Sequence, residues 1–125
     1  MNRALFACLL LMPMLSWAKT NPADYAITVH VQSSHVVSMC NDILGHPNCE
    51  KKQHLSAIVD GKKYELDSYG DYDVLLRIGD YKAKLLPEEQ RDGDIPLGSY
   101  EYRRRYEFLF PDGRTRKYTV VGESE

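Results

Sequence analysis

Cys40 and Cys49 enclose His46, and His35 and His54 flank them on either side. Two thiols and three imidazoles in so short a stretch allow two kinds of chemistry. A pair of thiolates with imidazoles can hold a tetrahedral zinc ion. The same two cysteines, in an oxidising compartment, close a disulfide. No Cys-x-x-Cys knuckle accompanies them, and the third cysteine, Cys8, falls in the N-terminal leader, so the rest of the chain carries an even pair. The disulfide is therefore the leading expectation, with the metal reading beside it. A ring of about ten residues closed in this way contributes ~2–3 kcal/mol.

The remaining candidates are polar or aromatic. Arg104 shares strand parity with Tyr100, Tyr102, Tyr106, Phe108 and Phe110, whereas Arg103 and Arg105 alternate with Glu101 and Glu107 on a mixed-charge face. An arginine on an aromatic face lies at the sheet rim, stacks on a ring by cation–π attraction, or points into a ligand pocket. Tyr69 and Tyr72 occupy the Ser68–Asp73 turn and are expected to be exposed. Glu88, Glu89 and Asp92 lie in the Pro87–Gly98 connection, the first place to look for a binding loop. No local signature of a nucleophile with its base, of facing carboxylates, of a phosphate loop or of a His-rich metal motif is present. The expectation is a protein without cofactor or catalytic metal, not an enzyme.

The elements that position these residues are strands. Leu55–Val59 and Lys62–Leu66 flank Asp60-Gly61, a type I′ turn signal, and pairing outward sets Ala57 against Tyr64 and Leu55 against Leu66. Val74–Ile78 and Tyr81–Leu85 flank Gly79-Asp80, which reads as a second hairpin with a type II′ turn. Tyr100–Phe110 and Arg114–Val121 flank Pro111-Asp112-Gly113, and a three-residue loop puts Tyr106 opposite Tyr118 and Glu107 opposite Lys117. An earlier strand covers roughly 25–37. The fold expected is all-β: a single antiparallel meander of about seven strands forming a small sandwich or barrel. Two connections are longer, Cys40–Cys49 and Pro87–Gly98.

The N-terminus reads as an export signal. Arg3 supplies a positive n-region, residues 4–15 are uncharged and apolar, and Ser16-Trp17-Ala18 places small residues at the −3 and −1 positions. The apolar run is about twelve residues, roughly 18 Å as a helix, too short for a bilayer span. Leu5-Phe6-Ala7-Cys8 has the outline of a lipobox but leaves almost no apolar run ahead of Cys8. The expected organisation is a signal peptide over 1–18, a loose leader over 19–23 and one β domain over 24–125. Losing Arg3 moves the formal charge from −2 to about −3. Acidic and basic residues are well mixed, which argues against a nucleic-acid partner. No later segment is apolar long enough to span a membrane.

The phrases Asp60-Gly61-Lys62-Lys63-Tyr64-Glu65-Leu66, Ile78-Gly79-Asp80-Tyr81-Lys82-Ala83-Lys84-Leu85 and Tyr106-Glu107-Phe108-Leu109-Phe110-Pro111-Asp112-Gly113 resemble a family of small exported β-rich proteins from soil bacteria, as does the ending Val120-Val121-Gly122-Glu123. That family has no assigned activity, so the resemblance implies export and a β fold and transfers no functional residue. The function expected is a non-enzymatic binding module of the periplasm or cell exterior, with a cell-envelope or extracellular partner. The first alternative is an inhibitor of a hydrolase such as lysozyme. The second is a small metal-dependent or hydrolytic enzyme.

Cleavage after Ala18 removes Trp17, the sole tryptophan, and none of the nine tyrosines. The purified exported protein is expected to show tyrosine-like emission only. A tryptophan peak would move the cleavage site.

Overall fold

The computed structural model describes residues 20–124 except 89, 90, 93 and 94, with 91 and 92 described in backbone only. The signal peptide assigned to 1–18 therefore lies outside the described residues. A 3₁₀ turn at Pro22–Asp24, capped by the Asn21 side chain, leads into β-structure. The strands are β1 (Ile27–Ile43), β2 (His46–Val59), β3 (Lys62–Ser68), β4 (Gly79–Leu85), β5 (Arg91–Asp92), β6 (Ile95–Pro96), β7 (Arg105–Leu109) and β8 (Thr115–Ser124). Six of them close into an antiparallel ring in the order β1-β2-β3-β8-β7-β4, with β4 returning to β1. β5 and β6 form a separate two-stranded ribbon within the 87–98 connection.

Alternation along each strand fills the ring. Val29 and Val31 of β1, Leu55, Ala57 and Val59 of β2, and Tyr64 and Leu66 of β3 point inward and are buried. Ala83, Tyr106, Phe108 and Tyr118 complete the core from the other side. The intervening residues of β3, Glu65 and Asp67, are half-buried on the outer face. Phe108 lies against Tyr118 with ring centroids 4.5 Å apart and stacks on Tyr81 at 5.9 Å. Offset and tilted aromatic pairs of this kind contribute beyond the area they bury.

Two hairpins have the expected register. Ala57 faces Tyr64 and Leu55 faces Leu66 across Asp60-Gly61, whose positive φ values of 51° and 79° are those a type I′ turn demands. Tyr106 faces Tyr118 and Glu107 faces Lys117 across the Pro111–Gly113 loop. Two bulges bend the ring: β1 carries one extra residue between Val31 and Ser33, and β8 shifts register against β3 at Glu65/Leu66. Gly122 sits at the second, where an added Cβ would meet Glu65 Cβ and Cγ at 3.2 Å.

The structure departs from the expected hairpins in three places. Val74–Ile78 is not a strand; Val74, Leu75 and Ile78 are exposed, and only Leu76 packs against the core. The reason is that both sides of β4 are already taken. Ile27–Val31 of β1 pair with one edge and β7 pairs with the other. Ring closure thus displaces the local hairpin that Gly79-Asp80 signalled. Second, the Cys40–Cys49 stretch is not a loose connection, because β1 and β2 run as a ladder to Ile43 and His46. Third, Tyr100–Arg104 leaves the sheet apart from an isolated bridge at Arg103. β4 ends at Leu85, opposite Tyr106, and among the described residues no strand continues on that side.

Burial raises the phenol of Tyr118 to about 12, although the Arg116 guanidinium pulls the other way. Burial also raises Tyr81, Tyr106 and Tyr25, the last helped by its hydrogen bond to Glu107. The fold therefore holds these phenols neutral. Their contribution to stability is complete below the ordinary tyrosine range near pH ~10 and is lost as pH rises through about 12 for Tyr118. Absorbance titration at 295 nm is expected to show a late-ionising tyrosine class that merges with the rest in denaturant, and unfolding to accompany its ionisation. A single native transition near pH ~10 would contradict this packing.

Candidate functional site

The feature that the ring does not need is the outer half of its first hairpin. β4 leaves β1 at Val31 and β3 leaves β2 at His54, yet β1 and β2 stay paired to Ile43 and His46. Residues from about Val36 onward therefore project as a two-stranded arm, about 23 Å long at ~3.3 Å per residue. Every residue from Ser38 to Lys51 is exposed. An isolated two-stranded ribbon is marginal in water, so an arm of this length needs fixing.

It is fixed at two levels. Midway, Cys40 and Cys49 face each other in the ladder and form a disulfide. At the root, the turn after β3 braces β2. The Lys51 amide donates to Asp71 Oδ1 at 2.8 Å, the Tyr72 amide donates to the Lys51 carbonyl at 2.8 Å, and the Gln53 amide donates to Ser68 Oγ at 3.0 Å. Gln53 is itself fully buried. Its side-chain oxygen accepts from the Tyr118 hydroxyl at 2.6 Å and from Arg116 at 3.0 Å, and its amide nitrogen donates to the Val74 carbonyl at 2.9 Å. The Arg116 guanidinium lies 3.9 Å from the centre of the Tyr72 ring. This network seals the end of the ring from which the arm emerges. A buried polar network whose members are satisfied fixes geometry more than it adds stability.

At the tip, Leu44 and Gly45 have φ values of 54° and 77°. A type I′ turn of this kind favours Asn, Asp or Gly in both central positions. Leucine in the left-handed region costs ~1–3 kcal/mol, and here it is 93% exposed. Ile43 and Met39, also exposed, continue the apolar surface down the arm. Beside its root stand the exposed Tyr69, Val74, Leu75 and Ile78. Apolar side chains thus collect at one end of the molecule and along the arm.

The other sequence candidates distribute as follows. Arg104 is half-buried at the opposite end of the ring, with its guanidinium 5.0 Å from the Tyr102 ring centre and a hydrogen bond of 3.4 Å to the Tyr64 hydroxyl. Stacking on a ring is therefore observed, at the rim. Tyr102 donates to Glu123, and that bond, with burial second, raises its phenol to about 12. Tyr69 is exposed as expected, whereas Tyr72 is half-buried because Arg116 stacks on it. Glu88 is exposed beyond the end of β4; Glu89 lies outside the described residues, and Asp92 is placed only as backbone in β5. Tyr64 lies near the start of β3 and Ser68 closes it, so Arg104 and the Tyr69–Tyr72 turn sit toward opposite ends. The candidates do not converge on one site.

A further cluster has the residue types of a hydrolase triad. His54 Nδ1 lies 2.6 Å from Asp67 Oδ1, its Nε2 lies 3.0 Å from Glu65 Oε2, and Ser56 donates to Glu65 Oε1 at 3.2 Å. Both ring nitrogens face carboxylates, so no imidazole lone pair addresses the serine. The two carboxylates also flank opposite edges of the ring, which prevents all three from sharing an ion. Among the described residues no His, Cys, Asp or Glu group of three or more is disposed to hold a metal ion, and no helix is long and apolar enough to cross a membrane.

Comparison with family models, with curated proteins and with solved structures found no match to this chain. The arm was missed in the sequence because Leu44-Gly45 lacks the Asn-Gly form of the turn signal.

Reduction of the disulfide is expected to loosen the arm without unfolding the ring. Amides between Met39 and Asn48 should lose hydrogen-exchange protection in reductant, while those of Leu55–Val59 keep theirs. Uniform loss across both sets would contradict the independence of arm and ring.

Proposed function

We propose that this protein is an exported, non-enzymatic binding module that engages a partner protein of the cell envelope or exterior through the tip of its stapled arm. The observation that carries the reading is Leu44. An exposed leucine occupies a backbone conformation that a polar residue or glycine would adopt at lower cost, at the end of an arm braced at its root and midway along it. Strain of this sort, kept at a protruding apolar point, fits a contact residue. Preorganisation by the disulfide and the Lys51–Asp71 brace lowers the ordering cost of association. Export is supported by the Arg3 n-region, the apolar 4–15 run and the Ser16–Ala18 site, together with a disulfide that persists in oxidising compartments.

The runner-up is inhibition of a hydrolase such as lysozyme, with the arm entering the cleft of the enzyme. A narrow, rigid, apolar-tipped ribbon has a shape suited to that role. The analogy is one of form alone. The resemblance to small exported proteins of soil bacteria adds no activity to either reading.

Leu44→Asn separates fold from function. Asn-Gly is the preferred form of this turn, so the variant should melt at the same temperature or higher. Capture of the envelope partner by the tagged protein, quantified by pull-down from its own host, should fall at least tenfold. Undiminished capture would remove the tip from the interface. In parallel, slowing of lysozymes or secreted proteases at micromolar concentration by the unaltered protein and not by Leu44→Asn would favour the inhibitor reading.

A further inference from the structure

The two edges of the arm are unlike. Along β1 and β2 the paired residues alternate between those bonded to each other and those whose amides and carbonyls turn outward. The outward set on β2 is identified by its contacts: the Gln53 amide goes to Ser68, and the Lys51 amide and carbonyl go to Asp71 and Tyr72. By alternation it continues with Cys49 and Pro47. Their partners in the ladder are Val36, Ser38, Cys40 and Asp42, which are the outward set on β1.

These two rows of outward groups have different fates. On β2 the Ser68–Tyr72 turn covers the inner half. Pro47 then removes a donor from the outer half, and Glu50, Lys51 and Lys52 bring charge to the strand. Proline and lysine are the ordinary devices that stop a sheet edge from recruiting another strand. β1 has neither. From Val36 to Ile43 its only formal charge is Asp42, and among the described residues no backbone group of Val36, Ser38, Cys40 or Asp42 has a partner outside β2. One edge of the arm is blocked and the other left open.

We propose that the open β1 edge pairs with the same edge of a second copy of this chain, antiparallel, about a two-fold axis at Ser38. The sequence selects both occupant and register. With the axis at Ser38, Val37 of each copy faces Met39 of the other, Val36 faces Cys40, and His35 faces Asn41. Apolar residues meet apolar or sulfur-bearing ones, and polar meet polar. The two Asp42 carboxylates stand roughly 26 Å apart along the strands at ~3.3 Å per residue, well beyond the ~8 Å over which exposed charges act in physiological salt. Moving the axis by one residue to Met39 sets Val36 against Asp42 and Val37 against Asn41, which mismatches both faces. The pairing joins two marginal ribbons into one four-stranded sheet, the size at which such sheets become stable. It leaves Leu44 free in both copies, so it stands independently of the tip contact proposed above.

Sedimentation equilibrium of the purified protein over a range of concentrations tests the pairing. Twice the monomer mass is expected at high concentration. Ser38→Pro is expected to weaken the association at least tenfold, because proline at an outward position removes the donor at the axis and none of the bonds to β2. Hydrogen exchange supplies a second readout: the amides of Ser38 and Cys40 should slow as the unaltered protein is concentrated and stay fast in Ser38→Pro. Met39→Lys, which leaves the backbone intact and brings charge to the paired face, should also weaken dimerisation if the proline variant fails to fold. A protein monomeric at millimolar concentration overturns the proposal, as does a folded Ser38→Pro or Met39→Lys variant that dimerises as before. Amides of Ser38 and Cys40 that become protected only when a different protein is added would also overturn it, since the edge would then serve another partner. None of these outcomes bears on capture through Leu44.

Discussion

The closure of the ring by β4 is the constraint on which the rest of the molecule depends. β4 has two edges, and the structure uses both: Ile27–Val31 of β1 on one side and Tyr106–Leu109 of β7 on the other. Once these seams form, no edge remains for Val74–Ile78, and that segment becomes a covering stretch anchored by Leu76, whose amide donates to Ser34 Oγ at 3.0 Å. The short β1–β4 seam also determines the arm. Because β4 begins at Gly79 opposite Val31, β2 is the one strand paired with β1 beyond the bulge.

Burial inside the ring then decides where polarity is tolerated. The inward row of β2 reads Val59, Ala57 and Leu55, then Gln53, and the change from aliphatic to amide marks the mouth of the barrel. Gln53 meets Tyr118 and Arg116 there, with Tyr72 lying over the guanidinium. An unpaired amide at full burial costs ~1–3 kcal/mol. With acceptor and donor both engaged, the same residue becomes a lid with one preferred arrangement. At the outer surface the Tyr25 hydroxyl donates to Glu107 at 2.6 Å, and Lys84 lies 3.3 Å from the same carboxylate. These contacts tie the segment preceding β1 to β4 and β7, across the seam that closes the ring.

Much of the fold was legible in the sequence because two of its hairpins are local decisions. Asp60-Gly61 and Pro111-Asp112-Gly113 each fix a register by turn chemistry alone, and the apolar pairs agree with it. Gly79-Asp80 carried a signal as strong, yet the competing pairing lies fifty residues away at His30, which local reading does not weigh. The arm was hidden for a different reason. Its residues alternate without a buried face, so no apolar period marks them as strand, and its turn uses leucine where a polar residue is usual. Of the candidate residues, Cys40 and Cys49 were recoverable because a covalent link depends on residue type and compartment. Which ring Arg104 stacks on was not, since Tyr100, Tyr102 and Tyr106 share its parity and only the path of the chain outside the sheet selects Tyr102.

The bulge at Gln32 gives the arm a mechanical character. Inward from it the chain belongs to a closed ring, in which each strand is flanked on both sides. Outward from it lies a ribbon whose two strands are tied by a covalent crossbar. A force applied at the tip cannot peel one strand from the other past Cys40–Cys49, so the load divides between them and meets the Ser34–Leu76 bond on one strand and the Lys51–Asp71, Tyr72–Lys51 and Gln53–Ser68 bonds on the other. Inward of the crossbar the two strands of the arm are thus held together along their length to the ring.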